Sequence, residues 1–297
     1  MNNRLPPLAD LLESWLIALA GERKSPETRR AYRAGVEQFL AHCAAQGIPA
    51  ELTKPAVVGW VASMSEQEAA TARLRLTALK RFAVWLAEEE GFDVDAVLTV
   101  RAPKLDQKIV NHLSDREVKA MVGACAGTEL RDHRDRALIV LFCDTGLRAA
   151  EMLSLTPRDI SLPDRSLTVA RGKGAKGRRV TFSAKTAAVV DKYVRSRRRA
   201  GYGEADALWV SAKGALTYRG LTSALKSRAD LAGVGGFHVH RLRHTRAVTW
   251  LRAGGSESGL MSQAGWSSRK QIDRYIKSAA EELASDEFDR LSLGWDD

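Results

Sequence analysis

Residues 99–112, TVRAPKLDQKIVNH, constrain the fold of this chain most. They show no amphipathic period, contain Pro103 and carry several basic side chains, a pattern that predicts an extended linker. A linker there splits the 297 residues into a piece spanning 1–98 and a piece spanning 113–297. Each is long enough to bury its own core, so the chain is expected to form two domains.

The first piece reads as helices throughout. In LADLLESWLIALA, Leu8, Leu11, Leu12, Trp15, Leu16 and Leu19 recur at helical spacing. Ser25-Pro26 opens a second helix, with serine as N-cap and proline at the first helical position. Tyr32, Val36, Phe39 and Leu40 line one side of it. In ATARLRLTALKRFAVWLAEEEG, Leu76, Leu79, Phe82, Ala83 and Leu86 face inward, and Gly91 ends the helix. Arg29, Arg30, Arg33, Arg73, Arg75, Lys80 and Arg81 are left on the outer faces. Such faces are ordinarily just solvated. Here they sit in a domain whose sum is acidic, so they read as placed against DNA.

The second piece opens with a Ser114–Glu117 capping box and helices near 114–126 and 131–143. SLTVAR (166–171) and RRVTF (178–182) follow around the turn GKGAKG. Leu167, Val169, Val180 and Phe182 alternate with polar residues, which predicts a half-buried hairpin. Helices fill the rest. The expected class is mostly α with a small antiparallel β-sheet.

Charge separates the two pieces as well. Residues 1–100 carry 11 Lys+Arg against 13 Asp+Glu, whereas residues 101–297 carry 35 against 23. The basic part suits a polyanion such as nucleic acid. Cys43, Cys125 and Cys143 are scattered and odd in number. They fit a reducing cytoplasm and suit neither a disulfide framework nor a zinc site. No apolar run is long enough to span a membrane and the N-terminus lacks a signal pattern.

Four short stretches carry residues capable of chemistry. In CDTGLRAAEML (143–153), Arg148 and Glu151 are three apart and share a helix face, which taken alone describes a surface ion pair. The glycines of GKGAKG let a loop approach a phosphate, with Lys173 and Lys176 projecting. The turn lacks the strand–loop–helix context of an ATP site. In HVHRLRHT (238–245), His240 and Arg243 share one helical face. His244 falls on an apolar stripe with Ala247, Val248 and Leu251 and is expected to pack inward. His238 and Arg241 are peripheral, near backbone phosphate. No further ligand spacing supports a metal. In AGWSSRKQIDRYIKS (264–278), Trp266 precedes Tyr275 by nine residues.

Taken together, Arg148, Lys173, His240-x-x-Arg243, Trp266 and Tyr275 in this order resemble the tyrosine recombinase, or phage integrase, family over nearly the whole chain. The resemblance implies a helical core-binding domain (1–98), a linker (99–112) and a mixed α/β catalytic domain with a C-terminal tail (113–297). These are expected to close on DNA as a C-shaped clamp. It implies cleavage and rejoining of double-stranded DNA through a 3′-phosphotyrosine, with neither metal nor cofactor. Tyr275 is the implied nucleophile, a phenol that needs deprotonating because its free pKa is about 10, and His240 the implied base. Arg148 and Arg243 clamp the non-bridging oxygens and Glu151 orients side chains. Lys173 protonates the leaving oxygen, with Lys176 as its alternative. Trp266 stands where many members have histidine; it donates a hydrogen bond but exchanges no proton. Lys176 and Arg178 join the seven N-terminal cations as DNA contacts.

The same resemblance implies a homotetramer on two DNA sites. The tail EELASDEFDRLSLGWDD carries Leu283, Phe288, Leu291 and Leu293, and docks on a neighbour or folds back on its own domain. The chain shows no arm-binding domain, which favours simple symmetric sites, and Trp266 leans toward a mobile-element integrase over a dimer resolvase. A type IB topoisomerase with the same covalent chemistry and an inactive DNA-binding regulator are the competing readings. The expected location is the cytoplasm.

Overall fold

The computed structural model describes residues 7–105, 112–170, 177–204, 206–266 and, past those, residues 268, 269, 272, 273, 275, 276 and 280–291. The chain divides into two compact units, Met1–Lys108 and Ile109–Asp297.

The first unit holds helices α1 (Leu8–Gly21), α2 (Pro26–Gln46), α3 (Lys54–Ala62), α4 (Ala69–Glu90) and α5 (Asp95–Leu98). Ser25 Oγ accepts from the Thr28 N–H, and Gly91 ends α4 in the left-handed conformation. The six apolar residues of α1 named above are all buried, as are Val36, Phe39, Leu76, Leu79, Phe82 and Leu86. Trp15 anchors this core, stacked on Tyr32 at 5.6 Å and tilted against Phe82 at 5.1 Å.

Several cations of the expected DNA-facing row have partners within the unit. Both Arg33 Nη atoms lie on Glu13 Oε atoms at 2.5 and 2.8 Å. Lys80 Nζ donates to the carbonyls of Leu98 and Val100 at 2.6 Å each, so it ties the end of α5 to α4. Burial lowers its pKa. Arg75 engages the Gln67 amide oxygen and lies near the Met64 sulfur. Arg29 is half-buried, Arg30 pairs with Glu27, and Arg73 donates to the Pro103 carbonyl. Arg30, Arg73 and Arg81 remain exposed. The acidic residues and carbonyls of the same unit occupy most of the cations that the sequence places outside. Val100 is buried and Pro103 is bonded, so packing of this unit runs past residue 98 into the expected linker.

The second unit begins with α6 (Asp115–Gly123), α7 (Leu130–Thr145) and α8 (Ala149–Leu153). The capping box Ser114–Glu117 opens α6. Strands β1 (Ile160–Ser161), β2 (Ser166–Val169) and β3 (Arg178–Thr181) form an antiparallel sheet in that order, with Leu167 opposite Val180 and Ile160. Leu167, Val169, Val180 and Phe182 are buried. Helix α9 (Ala184–Arg199), the small hairpin β4 (Val210–Ser211)–β5 (Gly214–Ala215), α10 (Tyr218–Leu231), α11 (His240–Arg252) and α12 (Glu257–Ala264) follow. The C-terminal helix Ala280–Leu291 lies on α11 of its own chain, with Glu282 at 3.5 Å from His112 Nε2 and 4.0 Å from Arg252 Nη1. Among the described residues no helix is long and apolar enough to cross a membrane.

Helix α7 is the central pillar, and in its first turns, which read RDHRDR, Asp132, His133, Arg134 and Asp135 are buried. Arg228 from α10 explains this: its Nη2 bonds Asp132 at 2.6 Å, its Nε bonds Asp135 at 2.9 Å, and Nη1 donates to the Ala124 carbonyl. Arg134 takes the other oxygen of Asp135. Removing one partner of a buried network strands the other charge. We therefore expect Arg228→Met to lower the unfolding free energy of this unit by about 3–5 kcal/mol in urea titrations. A loss under about 1 kcal/mol, the range of exposed pairs, would mean the network is solvated.

Candidate active site

Helix α7 ends at Gly146, in the left-handed conformation at φ 61°, and Leu147 turns back into the core. This turn sets Arg148 at the start of α8. Its backbone N–H donates to Glu151 Oε2 at 2.9 Å and its Nη1 to Oε1 at 3.2 Å. The sequence describes this as a surface pair; the structure corrects that. The Glu151 side chain is only 18% exposed, and Arg178 of β3 grips both its oxygens from the other side, at 2.9 and 2.8 Å. Burial alone would raise the Glu151 pKa. The Arg178 hydrogen bonds, the Arg148 N–H and both guanidinium charges outweigh it and hold the carboxyl at about 2. Arg178, expected to face DNA, is consequently a member of this cluster, with its Nε donating to the Gln263 carbonyl.

Helix α12 supplies the opposite wall. It ends at Gly265, left-handed at φ 65°, whose carbonyl accepts from both Nη atoms of Arg148 at 3.3 Å. A Cβ at position 265 would meet the Arg178 guanidinium at 2.6 Å, so a side chain there would push Arg178 off its place. Arg243 of α11 spans the two helix ends. Its Nη1 donates to the Gly146 carbonyl and its Nη2 to the Ala264 carbonyl at 2.9 Å. Both acceptors lie at helix C-termini, where the peptide dipoles leave partial negative charge. Arg243 is 3% exposed. Burial, followed by the charge of Arg148, pushes its pKa down to about 10, which leaves it cationic at neutral pH.

The Arg243 guanidinium lies 5.1 Å from the Trp266 ring centre, a cation–π contact. Trp266 in turn stacks on Tyr275 at 4.9 Å with planes 14° apart. Both aromatics are buried, together with Leu260, Ala264 and Ile272. The Tyr275 hydroxyl lies 2.9 Å from Nδ1 of His244. His240 is exposed in the first turn of α11, its ring edge-on to His244 at 4.3 Å.

Arg148, Arg243, Trp266, Tyr275, Glu151 and the histidines of α11 thus converge, from sequence positions more than a hundred residues apart. Lys173 and Lys176 lie outside the described residues. His244 is buried, and the apolar stripe that hides it is where Tyr275 lands. Sequence periodicity reports the burial and not the hydroxyl, so His244 was not among the candidate residues. Arg241 is buried too: it donates to the carbonyls of Gly235 and His112 and lies 3.5 Å from Glu117, a structural role where a phosphate contact was expected. Among the described residues no group of three or more His, Cys, Asp or Glu is placed to hold a metal ion.

Comparison with known proteins identifies relatives of this arrangement. The phage integrase family matches residues 111–282, and the phage integrase N-terminal SAM-like domain matches residues 12–90. Tyrosine recombinase XerC of Shewanella amazonensis is 30% identical over 292 residues, covering 93% of this chain and 94% of that protein. Tyrosine recombinase XerD of Ralstonia nicotianae is 30% identical over 233 residues, 76% of each. Among solved structures, a lambda integrase dimer bound to a COC′ core site shares the fold with a TM-score of 0.71 at 17% identity, over 99% of this chain and 80% of that one. The Tn1549 transposon integrase in complex with transposon right end DNA does so at 0.72 and 16%, over 97% and 100%.

The Glu151 cluster sets a pH dependence. A carboxyl whose pKa falls on folding stabilises the folded state above its unfolded value, near 4.5, and loses that contribution as pH drops toward 2. The contribution is at most on the order of 3 kcal/mol. Glu151→Gln should therefore be less stable than the parent at pH 7. That gap should narrow by roughly half at pH 3 in chemical unfolding experiments; a gap of unchanged size would contradict the assignment.

Proposed function

The chain belongs to the phage integrase family and is a site-specific tyrosine recombinase, and on that premise we propose which of its residues perform each step. Tyr275 attacks the scissile phosphate of duplex DNA and holds the broken end as a 3′-phosphotyrosine. The bond energy is kept in that link, so rejoining needs neither ATP nor a metal. Arg148 and Arg243 neutralise the non-bridging oxygens as charge builds on them. Guanidinium suits this task, being planar, permanently charged and bidentate. Lys173 protonates the departing 5′-oxygen. The base for Tyr275 is drawn from the adjoining imidazoles His240 and His244. Glu151 and Arg178 hold Arg148 in place, and Trp266 fixes the plane of the Tyr275 ring.

The observation that carries this reading is the seating of both arginines against the turn that leads to Trp266 and Tyr275. Arg148 binds the carbonyl of residue 265, Arg243 that of residue 264, and Trp266 follows directly. One phosphate entering this corner meets both guanidinium groups and the phenol together.

In the same reading, the chain binds double-stranded DNA and four protomers assemble on two sites. Exposed Arg30, Arg73 and Arg81 are available to its backbone. The C-terminal helix, with Phe288 and Leu291 exposed, is suited to exchange between protomers. The work is done on DNA in the cytoplasm. Whether strand exchange ends in integration, excision or dimer resolution is set by how the two sites are arranged, not by this chemistry.

On a nicked suicide duplex, the parent should form a covalent protein–DNA adduct and Tyr275→Phe none, with DNA binding retained; an adduct in Tyr275→Phe would refute the nucleophile assignment. Arg243→Ala should slow adduct formation by about 10²–10³-fold. Equal loss of DNA affinity would make Arg243 a binding residue instead. Exchange of arms between two labelled duplexes separates recombination from simple strand relaxation.

A further inference from the structure

We propose that the proton of Tyr275 passes to Nδ1 of His244, which makes His244 a catalytic residue of strand cleavage. The inference rests on the reading of Tyr275 as nucleophile and names the acceptor that reading leaves open.

The geometry favours His244 strongly. A general base must sit within hydrogen-bond reach of the proton it takes, about 2.6–3.2 Å between heavy atoms. His244 Nδ1 and the Tyr275 hydroxyl are 2.9 Å apart. Both residues are buried, so neither geometry is left to a mobile surface rotamer. His244 lies one helical turn beyond His240, on the face of α11 that carries Ala247 into the cluster of Leu260, Ala264, Trp266 and Ile272. Trp266, stacked on the phenol and unable to exchange a proton, keeps Tyr275 aligned with the imidazole without competing for it. His240 meets the His244 ring edge-on at 4.3 Å and is exposed, which gives the proton a route to solvent.

The step balances as follows. The O–H bond of Tyr275 breaks and its proton binds His244 Nδ1, which requires the tautomer protonated on Nε2. The phenolate electron pair forms the O–P bond. The P–O5′ bond breaks, its electron pair leaves on the 5′-oxygen, and the proton proposed to reside on Lys173 completes the hydroxyl. Rejoining runs in reverse, with the His244 imidazolium returning its proton to the phenolate. Among the described residues, the titratable side chains that face His244 include His238, His240 and Tyr275. The DNA phosphate offsets the imidazolium while it exists.

The test is single-turnover adduct formation on the nicked duplex across pH 6–9, with DNA affinity and melting temperature measured alongside. His244→Asn keeps a hydrogen-bonding amide near the Nδ1 position but accepts no proton. We expect it to melt and bind DNA like the parent, to form adduct about 10²–10⁴-fold more slowly, and to have a rate that keeps rising with pH where the parent levels off. In His244→Gly, added imidazole should restore part of the rate. A purely structural role would change neither the pH profile nor the response to imidazole. Adduct formation by His244→Asn within about tenfold of the parent and with the parent profile would overturn the proposal. So would loss of the profile in His240→Asn with its retention in His244→Asn. If His244→Asn does not fold, His244→Gln is read by the same criteria. Should the nucleophile reading itself be wrong, Tyr275→Phe would still form an adduct, an outcome independent of every His244 variant.

Discussion

Two guanidinium groups must be held side by side against their mutual repulsion, and the rest of the site follows from how that is done. The protein uses helix ends. Helices α7 and α12 both stop at left-handed glycines, Gly146 and Gly265, and their terminal carbonyls point into one corner. Arg243 takes one carbonyl from each helix, and Arg148 takes the carbonyl of Gly265 with both of its Nη atoms. Partial negative charge at the two C-termini offsets the cations without neutralising them. A carboxylate in direct contact with Arg243 would compete with phosphate. Glu151 instead binds Arg148 and is itself occupied by Arg178, which keeps it ionised and limits its pull.

This arrangement also explains the use of tryptophan at position 266. Its ring contacts the Arg243 guanidinium and stacks on the Tyr275 phenol, so one rigid side chain ties the cation to the nucleophile's ring. An imidazole there would add a titrating group; an indole adds only shape and one N–H. Proton chemistry is thereby left to the start of α11, where His240 and His244 lie one turn apart.

Much of the architecture was legible in the sequence. The periodic apolar residues of α1, α2 and α4 all reach the core, the Ser114–Glu117 box opens α6, and the alternation of Leu167, Val169, Val180 and Phe182 marks the hairpin. These are local signals, and local physics decides them. What escaped depended on contacts between distant segments. β1 has only two residues and pairs through a register no short window reveals. Arg33, Lys80 and Arg178 have the spacing of exposed cations, but Glu13, the Leu98 and Val100 carbonyls and Glu151 claim them once the chain folds. His244 shows the same limit. An apolar stripe reports that a side chain is buried, not that a tyrosine 31 residues later brings it a hydroxyl.

The central claim is that bare, left-handed helix ends hold the arginine pair in working position. Gly265→Ala tests it most directly, because the added Cβ reaches the Arg178 guanidinium at 2.6 Å and forces a left-handed alanine at the carbonyl that Arg148 uses. The left-handed strain itself costs about 1–2 kcal/mol, within what a folded domain tolerates. The measurement is the adduct-forming rate of Gly265→Ala at saturating DNA, with circular dichroism and DNA affinity as controls. The account predicts parental fold and affinity with cleavage slowed by about 10²-fold or more, the effect of a small misplacement of catalytic groups. Cleavage at the parental rate would contradict it.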